Sequence, residues 1–109
     1  MALLCGLVPK DRTRERFVAP DVSIVIERSS EHPVQYAIIL RVLRDGRWHA
    51  VRTFDNAHAP EEHHEHPYVG SEKQPPTMTH GPINEAMRAA EVKLMDRWGD
   101  IVYEWERTR

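Results

Sequence analysis

The chain has 109 residues, 40% hydrophobic and 29% charged, with a formal net charge of −2. That length suits one domain with a modest core, and the near-neutral balance excludes the global basic field expected of a general nucleic-acid binder. The single cysteine, Cys5, excludes an internal disulfide framework and fits a reducing compartment.

Met1 to Val8 is an apolar run too short to span a membrane. No basic residue precedes it and a charged segment follows, so no secretory signal and no membrane association are expected, and the cytoplasm is the expected location. The run reads either as a first strand or as a tucked terminus. Residues 1–20 are read as an arm in which Lys10, Arg12, Arg14 and Arg16 crowd together, offset by Asp11 and Glu15. A solvated arm or helix face is favoured there over a phosphate-contacting arm.

Asp21 to Glu27 is rich in β-branched residues and places Val22, Ile24 and Ile26 on one face, which predicts a strand. Ser29 to Pro33 is turn chemistry. Gln35–Arg44 and Arg47–Phe54 then flank Asp45-Gly46, a strong hairpin signal because a type I′ turn needs positive φ at both central positions. A two-residue turn sets Val42 opposite His49, Leu40 opposite Val51, Ile38 opposite Thr53 and Tyr36 opposite Asp55 on a core-facing side. Leu43, Trp48, Arg41, Ala50, Ile39, Arg52 and Phe54 fall on the other side. Arg41 and Arg52 become diagonal neighbours there, within reach of a shared anion; the alternative is two solvated arginines. Leu43 and Trp48 suggest that this outer face is covered by a second copy, making a homodimer, or by another partner.

From Asp55 to Pro82 the periodicity disappears among five prolines and two glycines. Long irregular connections are either functional or disordered. The first half is assigned to function, and 68–81 to a mobile connector. Ile83, Met87, Ala90, Leu94 and Trp98 then keep helical spacing between Pro82, suited to a first helical position, and Gly99, suited to the C-terminal cap. Ile101, Tyr103 and Trp105 alternate and predict a last strand. The expected architecture is an α+β domain: a small, mainly antiparallel sheet of three to five strands, covered on one face by a C-terminal helix.

The chemistry concentrates in one stretch. Asp55, Asn56 and His58 end the second hairpin strand, and His63, His64 and His66 follow closely. Histidine takes or gives a proton near neutrality at little cost. One use is acid–base catalysis on a phosphodiester, with His58, His64 and His66 moving protons, Asp55 orienting a ring and Arg52 on the phosphate; Arg41 and Asn56 would bind substrate. No cofactor is needed for that. A second use is non-enzymatic: His58, His63, His64 and His66 ligating zinc or another divalent transition metal, although the spacing matches no sharper zinc signature. The third is a solvated loop without chemistry. His32, His49 and His80 read as structural or solvated; His49 could contact the core edge, and His80 reaches the group only if the connector folds back.

The order of hairpin, Arg52-Thr-Phe54-Asp55-Asn56-Ala57-His58, then His63-His64-Glu-His66, resembles the TumE-like toxins of bacterial type II toxin–antitoxin modules. The likeness covers roughly Val22 to Pro67 and is specific only within Phe54 to His66. His58 stands alone here, where the family tends to place paired histidines. The resemblance implies a growth-inhibiting protein acting on RNA and neutralised by an antitoxin protein.

Overall fold

A computed structural model describes residues 10–109; Met1 to Val8 and Cys5, read above as a strand or tucked terminus, lie outside the described residues. Seven strands precede one helix: β1 (Arg12–Ala19), β2 (Val22–Arg28), β3 (Tyr36–Arg44), β4 (Arg47–Ala59), β5 (Glu62–Val69), β6 (Glu72–Lys73), β7 (Thr77–His80) and α1 (Ile83–Thr108). The sheet is an antiparallel meander in chain order to β6, and β7 also pairs with β5. Every connection between β1 and β5 joins neighbouring antiparallel strands.

Three expectations are corrected. The sheet exceeds three to five strands because the stretch from Asp55, read as irregular, continues β4 to Ala59 and then forms β5, and because two further segments are paired. Arg12 to Ala19, within the expected arm, is a strand hydrogen-bonded to β2. Residues 68–81, expected to be a mobile connector, contain β6 and β7, both held by β5. Neither segment carries an apolar period-2 signal, because each lies at a sheet edge where one or both faces meet water. Lastly, Ile101–Glu106 is no strand: α1 runs through Gly99 to Thr108. Ile101, Val102 and Trp105 continue the stripe begun by Met87, Ala90 and Leu94, and all six are buried. Packing of that stripe on the sheet outweighs the cost of one mid-helix glycine, about 1 kcal/mol relative to alanine.

The Asp45-Gly46 turn has the expected shape, with φ of 55° and 74° at its two residues. Register follows the prediction from Arg44–Arg47 through Val42–His49 and Arg41–Ala50, then shifts. Val51 is the extra residue of a β-bulge, so Leu40 lies opposite Arg52, Ile38 opposite Phe54 and Ala37 opposite Asp55. The shift rewrites both faces of β4. Phe54 and Asn56 turn inward with Tyr36 and Ile38, whereas Asp55 turns to the outer face. The inner rows of β2 to β4 and the stripe of α1 form one apolar cluster, in which Ile38, Leu40, Val42 and Leu94 are wholly buried. His49 caps its edge, tilted against Trp105 with ring centroids 5.5 Å apart.

The outer hairpin face is partly covered by the chain itself. Arg41 lies over the Trp48 ring, 4.5 Å from its centroid, and Phe17 of β1 meets Trp48 edge-on at 5.9 Å. No helix among the described residues is long and apolar enough to cross a membrane.

Candidate functional site

β4 and β5 form the site because alternation along a strand sends every second side chain to the same face. In β5, Glu62, His64 and His66 share one face, and Asp55 of β4 sits directly opposite His64. The His64 and His66 ring centroids lie 6.0 Å apart, and His58 comes within 4.8 Å of His64. The result is a row of three imidazoles, exposed at His58 and buried at His64.

Hydrogen bonds fix the ring orientations. His64 donates Nε2–H to the Glu62 carboxylate at 2.9 Å, leaving Nδ1 with its lone pair. His66 donates Nδ1–H to the Gln74 carbonyl at 2.8 Å, and its Nε2 lies 3.8 Å from Asp55 Oδ2. Asp55 is itself steadied by the Ala57 amide, which donates to Oδ1 at 3.1 Å. The bond from His64 holds the Glu62 carboxyl below its usual range, helped by the charges of His64, His80 and His58. His80 reaches the edge of the group, 3.8 Å from Glu62, because the supposed connector does fold back, as β7.

Four predicted site residues stand elsewhere. His63, one residue out of step with His64, faces the helix side: its Nε2–H donates to the Gly81 carbonyl at 2.8 Å and its Nδ1 accepts from the Tyr36 hydroxyl at 2.8 Å. With both nitrogens engaged it cannot join the proposed metal set. Among the described residues no three His, Cys, Asp or Glu side chains are grouped to hold a metal ion. Arg52, carried to the helix side by the bulge, pairs with Glu65 at 2.6 Å, and Glu65 also binds Lys93 of α1 at 2.7 Å. Arg41 stays on the outer face but is held by Glu15 and by Ser23 Oγ. The two guanidinia therefore share no anion. Asn56, taken as substrate-binding, is 1% exposed. Its Oδ1 accepts from the Tyr36 amide at 2.9 Å, and its Nδ2 donates to the carbonyls of Val34 at 2.8 Å and Pro60 at 3.0 Å. It ties three backbone segments together, with both amide hydrogens engaged and the side chain buried away from any ligand.

Two participants were not anticipated. Glu62 was legible in principle, since it precedes His64 by two positions and any strand through both puts them on one face. Tyr36, paired with the buried His63, had no local signal; it is defined by strands that meet only in the fold. Burial chiefly, and the Asp55 charge second, push its phenol well above the ordinary value.

The row can hold protons at two differently oriented rings, each backed by a carboxylate, on a surface open at His58. Comparison with known proteins finds no family model, no curated protein and no solved structure that matches this chain.

Proposed function

We propose that the chain is a TumE-like toxin that acts in the cytoplasm, cleaves RNA at the outer-face histidine row and is neutralised by an antitoxin protein. The observation that supports this reading is the alignment of His58, His64 and His66 on one face with Asp55 and Glu62 beside them. In metal-independent RNA cleavage a base takes the proton of the ribose 2′-hydroxyl as the 2′-oxygen bonds to phosphorus. The bond from phosphorus to the 5′-oxygen breaks, and that oxygen receives a proton from an acid. The products are a 2′,3′-cyclic phosphate and a 5′-hydroxyl.

His64 serves as the base through Nδ1, since Glu62 holds its Nε2–H. His66 serves as the acid through Nε2 in its imidazolium form, with Asp55 as counter-charge and Gln74 holding Nδ1–H. His58 meets the substrate at the open end. Charge on the phosphoryl oxygens falls to the imidazolium groups, because Arg41 and Arg52 are committed to Glu15 and Glu65.

The test is cleavage of an end-labelled oligoribonucleotide by untagged wild type, His64→Ala and His66→Ala, with product termini identified by mass spectrometry. Each substitution is expected to slow cleavage by about 10²–10⁴-fold, and induced wild type, unlike either variant, should arrest growth. RNA left intact by folded wild type, or cut by both variants as fast as by wild type, would refute the reading.

A further inference from the structure

A cavity lined by no histidine lies on the helix side of the sheet between β1 and α1. It is an open groove of about 880 Å³. Its origin is geometric. The buried stripe of α1 forms one cluster with the inner rows of β2, β3 and β4, while Arg12, Arg14 and Arg16 of β1, at the sheet edge, stay exposed. Alternation places these three on one face, with register partners Arg28, Ile26 and Ile24 on β2. Arg88 of α1 completes the lining.

Five guanidinia thus converge on one groove, against Glu91 and Asp96 from the helix. Arg14 is paired with Glu91 at 3.3 Å. Among the described residues no carboxylate oxygen lies within salt-bridge distance of Arg12, Arg16, Arg28 or Arg88, and Arg28 Nε is buried with no hydrogen-bond partner. Four arginines with no ion-pair partner among the described residues, in a groove whose lining holds only two carboxylates, Glu91 and Asp96, favour an anion there although the chain's net charge is −2.

The floor of the groove separates two kinds of anion. Ile26, Met87, Val92 and Met95 line it, with Val92 54% and Met95 37% exposed. Single-stranded nucleic acid is held by aromatic platforms on which bases stack, and this lining contains no aromatic ring. An apolar, methionine-bearing floor beneath an arginine rim instead fits a peptide segment with apolar side chains on one side and carboxylates on the other. Guanidinium forks match carboxylates in bidentate geometry.

We infer that the groove between β1 and α1 docks an acidic amphipathic segment of a partner protein. The inference is independent of the chemistry assigned to the histidine row. It is tested by fluorescence anisotropy with two probes, a labelled Glu/Leu amphipathic peptide and a labelled oligouridylate of equal charge. The proteins are wild type, the double variant Arg16→Glu/Arg88→Glu and the double variant Val92→Ser/Met95→Ser, all at exposed positions, with circular dichroism verifying the fold. Expected is peptide binding that weakens about ten-fold or more in each double variant and is unchanged in His64→Ala. The inference is overturned if the peptide does not bind, if only the arginine variant weakens it, or if oligouridylate binds more tightly than the peptide and loses affinity in the arginine variant alone. Self-association of the wild type, seen by sedimentation and abolished by either double variant, overturns it too, by assigning the groove to a second copy.

Discussion

Asn56→Ala is the substitution that best separates the structural reading of this motif from a catalytic one. Removing the amide leaves the buried Tyr36 N–H without an acceptor and withdraws a donor from the carbonyls of Val34 and Pro60. At about 1 kcal/mol net per hydrogen bond, with the orphaned amide adding its desolvation penalty, the loss comes to about 3–4 kcal/mol. A domain of this size has about 5–15 kcal/mol in total, so the variant should fold but melt lower by roughly 12–32 °C. The assay is urea unfolding followed by tryptophan fluorescence, with m compared between the two proteins to exclude a changed unfolded state. Asn56→Asp serves as a second arm: it keeps the acceptor for Tyr36 but turns a carboxylate toward two carbonyl oxygens, and should cost at least as much. Losses below about 1 kcal/mol for both variants would refute the account of Asn56 as a buried tie, because even one orphaned buried donor is worth that much.

Gly99→Ala should raise stability by about 0.5–1 kcal/mol in the same assay, because the position is mid-helix and an added Cβ meets nothing within 4 Å; destabilisation would mean that the helix breaks there. Glu62→Gln should slow RNA cleavage by more than about ten-fold, whereas Arg52→Ala, whose partner is Glu65, should leave the rate per folded molecule unchanged while lowering stability; the opposite pattern would return the arginine to the site. The buried Tyr36 phenol, raised by burial, predicts an alkaline limit. Since its folded value lies above the unfolded value of 10.0, its contribution is complete below pH 10 and is lost as pH rises beyond it. Unfolding midpoints across that range should fall for wild type and stay flatter for Tyr36→Phe; parallel curves would contradict the assignment.

Local chemistry was enough to determine the hairpin: Asp45-Gly46 dictates a turn whose positive φ values the surrounding chain cannot change, and the strands on either side follow from their β-branched residues. The period of Ile83, Met87, Ala90 and Leu94 likewise determined a helix covering the sheet, and the spacing of His64 and His66 placed both on one face as soon as they belonged to a strand. Three things required tertiary contact. The bulge at Val51 has no residue signature of its own, and it decided that Asp55 faces the histidines while Arg52 and Asn56 do not. The end of the helix depended on whether Ile101, Val102 and Trp105 found an apolar surface, which an alternating sequence read in isolation cannot reveal. The edge strands β1, β6 and β7 are polar and short of pattern, so only their pairing with β2 and β5 makes them strands. Periodicity reports burial, and where one face meets water and the other a neighbour from a distant part of the chain, the fold alone decides what the backbone does.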